Sequence, residues 1–384
     1  MSVRRLAGIP GFAIDEVAAR AGSDPAVLRL ENLDTDLPPT AEALAATRRA
    51  LGQDDANSYL PFTGQLELCA AVADRLERTA GRRYDPRREI VITAGGTEGM
   101  LDALLATTDP GDEVILTDPT YAGMTNRVRL AGAVPRLVPF AWEAGRWRLD
   151  LDALRAAAGP RTRAVFIMNP SMPSGAVLEP EAWAAVAGLC AARDCWLLYN
   201  AAMERILYDG RAPFHPAAIP ELRERTVVIG SVSKEYRMIG WRVGWVAAPA
   251  GVLADIARVH LYNVVTPPGI AQAGATAALR LPLETLHPAV AEWQRRRDTV
   301  VEALAGLPVR TAAGGWSLLL DVGALGLDSF AGSRRLLDIG RVAATPMRDW
   351  GEVNGDRFVR LVFSNEPVAR LAGLGARVRR ALAG

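Results

Sequence analysis

Apolar runs of four or five residues, rich in Val, Ile and Leu, recur through the middle of the chain and alternate with stretches of helical periodicity. Segments 89–93, 113–116, 164–168, 196–199, 226–229 and 242–246 read as strands, and a Gly-Gly turn after the first leads into a helix through Met100 and Leu101. Runs this uniformly apolar lack the in–out alternation of a half-exposed strand, so both faces of their sheet should be covered. The pattern predicts an α/β fold, with a large domain built on a mostly parallel sheet and helices on both faces. On such sheets ligands sit beyond the carboxyl ends of the strands, so chemistry is expected in the residues that follow each run.

Past Arg280 the pattern changes. Residues 288–307 read as one long helix, and 316–321 and 358–363 as strands of a smaller α+β domain. The first 45 or so residues are expected to pack there too, since Leu37-Pro38-Pro39 reads as an extended entry segment. The expected division is 46–280 for the large domain and 1–45 with 281–384 for the small one. No internal repeat or low-complexity tract appears.

Composition narrows the function. Half of the residues are hydrophobic and the formal net charge is +1, so no basic face for nucleic acid is implied. Cys69, Cys190 and Cys195 form no CxxC pair, which suits a reducing compartment better than a disulfide framework. His215, His260 and His287 lie far apart, with no metal-ligand spacing, and no metal is expected. The N-terminus lacks the apolar run of a signal peptide and no stretch is long enough to span a membrane; a soluble, cytoplasmic protein is expected.

All but one of the 44 Lys and Arg residues are arginine; the exception is Lys234, in Ser231-Val232-Ser233-Lys234-Glu235-Tyr236-Arg237-Met238-Ile239-Gly240-Trp241-Arg242. Arginine stays protonated, whereas lysine can lose its proton and attack a carbonyl to form an imine. Arg242 follows eight residues on, across Gly240, which allows a tight backbone path. A fixed cation beside an imine-forming lysine makes sense where the aldehyde carries a phosphate. Thr93-Ala94-Gly95-Gly96-Thr97, joining a strand to a helix, offers free backbone N–H groups and a hydroxyl for an anion. Alone such a turn is an ordinary loop; beside the lysine motif it carries more weight.

Ser-x-Ser-Lys-x5-Gly-x-Arg resembles the cofactor-lysine signature of class I/II aminotransferases, pyridoxal 5'-phosphate enzymes of fold type I, and the resemblance runs along nearly the whole chain. It implies that Lys234 forms the imine, and that Gly96, Thr97, Ser231, Ser233 and Arg242 surround the cofactor phosphate. Tyr59, in Tyr59-x4-Gly64, is similar to the tyrosine that reaches the phosphate of the partner subunit, and Thr266 stands where the family often places a hydroxyl for the same task. Both imply a homodimer with shared active sites. Tyr121, in Asp118-Pro119-Thr120-Tyr121, resembles the aromatic that stacks on the pyridine ring. Asn169-Pro170-Ser171-Met172-Pro173-Ser174-Gly175 is similar to the family's Asn-Pro-x-Asn-Pro-Thr-Gly, which brings Asn169 to the substrate side. Arg360 corresponds to the arginine that clamps the substrate α-carboxylate, a pairing for which the planar guanidinium is suited.

Three positions depart from the family pattern around the ring. Asn200 stands in place of the aspartate that keeps the pyridine nitrogen protonated, Met203 in place of a tyrosine and Met172 in place of the second asparagine, both of which contact the ring oxygen; Ala202 keeps a small residue under the ring. A neutral amide cannot raise a pyridinium pKa as a carboxylate does, so the cofactor becomes a weaker electron sink. Losing donors at the ring oxygen raises the pKa of the Lys234 imine. Three readings of Asn200 stay open: natural tuning away from transamination, compensation by another group or water, or a substitution introduced to slow turnover.

The function expected is an aminotransferase-like enzyme acting on an α-amino acid or amino-acid conjugate. Its alternative is a non-transaminating lyase, decarboxylating or replacement reaction on the same cofactor. From another class, a cofactor-binding regulator or inactive scaffold is the rival. Leu33 replaces a glycine that in relatives lets backbone approach the substrate carboxylate; Asn32, Met124, Arg127, Tyr262, Asn263, Trp316 and Arg348 are further candidates for the entrance. Glu31, Asp34 and Asp36 read as a solvated loop face, with recognition of an amine-bearing substrate as the other possibility.

Overall fold

The structure is a computed structural model and describes residues 6–11 and 13–383; the first five residues, on which the signal-peptide reading partly rests, lie outside these, as do Phe12 and Gly384. In chain order the strands are β1 (Leu28–Leu30), β2 (Ile90–Thr93), β3 (Glu113–Asp118), β4 (Val134–Glu143), β5 (Arg146–Leu149), β6 (Thr162–Met168) and β7 (Trp196–Asn200). They continue with β8 (Thr226–Ser231), β9 (Gly244–Ala247), β10 (Val309–Arg310), β11 (Ser317–Asp321), β12 (Val342–Pro346) and β13 (Phe358–Val362).

The large sheet runs β2-β9-β8-β7-β6-β3-β4-β5. Its centre, from β4 through β3, β6 and β7 to β8, is parallel, while β9 and the edge strand β5 are antiparallel to their neighbours. Successive residues of one strand enter opposite cores: Val165 and Ile167 join the cluster on one face, Ala164 and Phe166 that on the other. This two-residue period, apolar on both faces, is why the runs are continuously hydrophobic. The helices between strands have conventional ends. Pro180–Arg193 begins with proline in its first turn and closes on Asp194 in the left-handed region, and Leu66–Ala80 stops at Gly81 with φ 62°.

The small sheet runs β1-β12-β13-β11-β10, with β1 parallel to β12 and the remaining pairs antiparallel. Leu28 and Leu30 thereby share a core with Leu318, Leu320, Val359 and Leu361. The long helix spans His287–Ala303 and ends four residues short of the expected 307. Another difference lies at 242–246: β9 begins only at Gly244, because Arg242 sits in the left-handed region with φ 53°. The β4–β5 hairpin, β12 and the helix Ala13–Ala21 had no counterpart in the sequence reading. Among the described residues no helix is long and apolar enough to cross a membrane, and the three cysteines are free and buried.

Candidate active site

The carboxyl ends of β3, β6, β7 and β8 open onto a cavity of about 290 Å³, closed from the other side by Leu33 and Arg360 of the small-sheet side. Gly96, Thr97, Tyr121, Met172, Asn200, Ala202, Met203, Ser231, Ser233, Lys234 and Arg242 also line it. Of the site residues expected from the sequence, Tyr59, Asn169 and Thr266 lie outside this lining. Ile14, Met100, Met168 and Ile239 line it without having been singled out; they are apolar residues whose sequence context matches ordinary core.

One end of the cavity is an anion cradle. Helix Gly96–Thr107 starts there, directing its first unpaired N–H groups and positive dipole end at the space beside Ser231, Ser233 and Arg242. The Ser231 hydroxyl donates to Ser233 Oγ at 2.8 Å and accepts from the Ser233 backbone N–H at 3.0 Å. Arg242 donates from Nη1 to the Ile239 carbonyl at 3.1 Å, which holds the guanidinium against the serines. Close backbone approach makes this possible: a Cβ on Gly244 would stand 2.5 Å from Gly96 N, and one on Gly95 2.7 Å from Arg242 Nη2. Gly240, to which the sequence reading assigned the tight path, has no positive φ, and a Cβ there would meet open space. The special backbone geometry belongs to Arg242 itself.

Lys234 follows β8 and points into the cavity, where Nζ donates to the Leu33 carbonyl at 2.7 Å and lies 4.9 Å from the centre of the Trp316 ring. Burial lowers its pKa from 10.5 to about 7; Asp34 opposes this shift and the cations Arg360 and Arg242 reinforce it. Such an amine is nucleophilic near neutral pH.

Tyr121, Asn200 and the methionines occupy the middle level. A Cβ on Gly123 would meet the Tyr121 ring at 2.4 Å, so glycine there lets the ring fold back over the start of its own helix. Trp350 meets Tyr121 edge-on at 5.8 Å and lies under the Arg360 guanidinium at 4.7 Å. The loop carrying Trp350 is tied to the end of β3: Asp118 accepts from the backbone N–H groups of Glu352, Val353 and Asn354 at 2.8, 2.7 and 3.0 Å. Asn200 is 7% exposed; its Oδ1 accepts from the Ala202 N–H at 3.0 Å and its Nδ2 lies 3.6 Å from Met100 Sδ.

Arg360, fully buried on β13, donates from Nη2 to the Glu31 carbonyl and to Thr345 Oγ1 at 3.1 Å, and from Nη1 to Met172 Sδ at 3.6 Å. Its Nε is buried without a partner, and burial lowers its pKa to about 10. Asn169 turns aside: its Oδ1 caps the Leu178 N–H at 2.9 Å. Tyr59 is 87% exposed, and Thr266 has a buried hydroxyl oxygen with no partner.

The acidic trio is only partly a solvated face: Asp36 is exposed while pairing with Arg296 at 2.6 Å, Asp34 is half-buried and its charge acts on Lys234, and Glu31 is fully buried and paired with Arg29. Among the entrance candidates, Asn32 lines the cavity, whereas Met124 is buried in the core, Asn263 is bonded to Asp102 and Arg348 to Asp356. Arg127 donates to the Gly123 carbonyl, and Tyr262 is exposed at 85%.

Beneath the anion cradle the fold gathers Glu98, Asp102 and His260, which sequence spacing does not bring together. His260 Nδ1 lies 2.6 Å from Glu98 Oε1 and Nε2 lies 3.0 Å from the Phe62 carbonyl. A carbonyl can only accept, so Nε2 carries a proton. The His260 pKa is raised: burial acts against this and the Glu98 carboxylate overcomes it. Asp102 is pushed up to about 8, first by burial and then by Glu98. The three carry an internal charge balance, and Glu98 Oε2 also accepts from the Ala94 N–H in the cradle turn.

The profile of the family described as aminotransferase class I and II matches residues 28–373. The chain belongs to this family. Among its relatives, arginine–pyruvate transaminase of Pseudomonas aeruginosa is 33% identical over 341 residues, covering 87% of this chain and 86% of that one. The aspartate/prephenate aminotransferase of Thermus thermophilus is 32% identical over 339 residues, covering 86% and 85%. The solved N-succinyldiaminopimelate aminotransferase of Mycobacterium tuberculosis superposes with a TM-score of 0.93 at 29% identity over 100% of both chains. The chain is thus a fold type I aminotransferase dependent on pyridoxal 5'-phosphate and acting on amino acids.

The residues present fit that cofactor. A nucleophilic amine, an anion cradle whose walls approach closely because Gly95 and Gly244 carry no Cβ, and the buried Arg360 guanidinium, whose Nε has no partner, line one cavity.

Proposed function

We propose that this aminotransferase holds pyridoxal phosphate on Lys234, with the phosphate against Gly96, Thr97, Ser231, Ser233 and Arg242 and the substrate α-carboxylate on Arg360. The observation that carries this reading is the convergence of Lys234, the cradle and Arg360 on a single cavity, three functions contributed by both sheets. Bound there, the cofactor supplies an aldehyde and an electron-withdrawing ring. Arg360 fixes the orientation of the amino acid. Lys234, a weak acid and weak base near neutral pH, moves the α-proton. Tyr121 and Ala202 bound the ring from either side, Leu33 fills space next to the substrate, and Asn169 acts through the loop it caps. Mixing the loaded protein with amino acids and weighing the bound cofactor tests the reading: gain of an amino group on the cofactor, with release of the 2-oxo acid, is expected. Product formed without that gain would favour the non-transaminating alternative, which the Asn200 amide and the sulfurs at Met172 and Met203 support.

The finer assignments follow the same reading. The exposed Tyr59 and the partnerless Thr266 hydroxyl suit a homodimer in which each reaches a partner's phosphate. A monomer at micromolar concentration in sedimentation would count against it. We assign residues 46–280 to the cofactor-binding domain and 1–45 with 281–384 to the small one. Three free thiols favour a cytoplasmic location.

A further inference from the structure

The side of the Asn200 amide that meets the cavity is decided by its neighbours. Asn200 ends β7, between Met168 of β6 and Ile229 of β8 in the sheet register. The backbone N–H of Ala202 donates to it at 3.0 Å, and a backbone N–H cannot accept. The amide oxygen therefore lies on the Ala202 side and already accepts one hydrogen bond there. The NH2 group lies on the other side, where its contact is the sulfur of Met100, a weak acceptor, at 3.6 Å. Asn200, Met100 and Ala202 all line the cavity; of the two ends of the amide only the NH2 group lacks a good partner, so it is the end with a hydrogen bond left to offer a ligand.

We propose that Asn200 donates a hydrogen bond from Nδ2 to the ring nitrogen of bound pyridoxal phosphate and keeps that nitrogen unprotonated. The proposal rests on the cofactor assignment above. A protonated pyridine nitrogen needs an acceptor; facing an NH2 group it would leave two donors opposed, an unfavourable arrangement for buried groups. No other residue removes the conflict. The titratable residues lining the cavity are Tyr121, Lys234, Arg242 and Arg360, and no Asp or Glu is among the described residues that line it. Asp34, whose charge reaches Lys234, is not part of the lining. The protein thus supplies no carboxylate at the cavity to favour a positive charge on the ring.

The chemical consequence is selective. An unprotonated ring withdraws fewer electrons from the substrate α-carbon, so proton removal there is slowed, while capture of the amine by the aldehyde is little affected. Asn200 is then a specificity-determining contact on the cofactor, and Ala202, through its N–H, positions it.

The test is nitrogen-15 NMR of the protein loaded with pyridoxal phosphate labelled at the ring nitrogen, with visible absorbance recorded on the same samples. The expected result is a resonance at the position of unprotonated pyridine at neutral pH. In Asn200→Asp it should move upfield to the protonated position. In Asn200→Ala it should stay unprotonated but move downfield by the smaller amount that marks loss of an N–H bond. A protonated resonance in the unaltered protein, or identical resonances in the unaltered protein and Asn200→Asp, would overturn the proposal while leaving the cofactor seat intact. Absence of a Lys234-dependent visible band would overturn both.

Discussion

Lys234 donates to the backbone carbonyl of Leu33 at 2.7 Å, so the amine that follows a strand of the large sheet is held by the segment that leaves β1 of the small one. A carbonyl is a weaker partner for an ammonium than a carboxylate would be, and the amine remains easy to deprotonate.

The first prediction is a pH profile. With its pKa lowered from 10.5 to about 7, Lys234 is mostly neutral above pH 7, and covalent capture of pyridoxal phosphate by stripped protein should rise with a midpoint near that value. Between about 7 and 10.5 the unfolded chain holds a proton that the folded one has released, so this group adds stability as pH rises through the window. Stopped-flow absorbance checks the first statement. Denaturation of stripped protein beside Lys234→Met checks the second, and parallel stability curves for the two would refute it.

Arg360→Ala should reduce kcat/KM for amino acids by about 10- to 100-fold, the value of a charge-assisted pair to the carboxylate. The Glu31 carbonyl and Thr345 hydroxyl lose a donor in the same change, so thermal stability should fall as well. An amine lacking the carboxylate should show no such drop in steady-state rates. An equal drop would assign Arg360 to the scaffold alone.

Gly244→Ala should weaken cofactor binding by about tenfold or more, because the added carbon would lie within 2.5 Å of both Gly95 C and Gly96 N, backbone atoms that cannot swing away. Gly240→Ala, with open space around the new carbon, should bind the cofactor as before. Equilibrium titration of the two variants compares them directly.

Asp102→Asn tests the buried cluster. The Asp102 carboxyl is pushed from 3.8 to about 8, so across that window the folded protein holds a proton that the unfolded chain releases, and stability from this group falls as pH rises. The raised His260 contributes in the same direction, being lost as pH climbs through its folded value. The variant should therefore gain on the unaltered protein between pH 5 and pH 8 in melting temperature; a constant difference would mean Asp102 is ionised throughout.

Much of the site could be read before folding because one-dimensional order carries it. Lys234 stands out as the single lysine, the resemblance of its motif implies Gly96, Asn200 and Ser231, and all four stand at or just beyond the carboxyl ends of strands, where such sheets bind ligands. Where the reading failed, the missing information was partnership. Glu31 reads as solvated, yet the fold buries it beside Arg29. Gly240 looked special until Arg242 proved to hold the left-handed turn.

The amino-acid order alone indicated a mostly parallel sheet covered on both faces and singled out one lysine, features that depend on residue type and on periods of two and 3.6, which are local. The ring pocket without its usual carboxylate came from the resemblance of its motifs to the family. Tertiary structure decided the rest. It placed the Leu33 carbonyl on Lys234, left the Arg360 Nε without a partner, and turned the oxygen of Asn200 towards Ala202. Hydrogen bonds and burial are set by groups far apart in the chain or by the turn a strand makes at its end. Which atoms of a side chain are spent and which remain to meet a ligand follows only when those groups are in place.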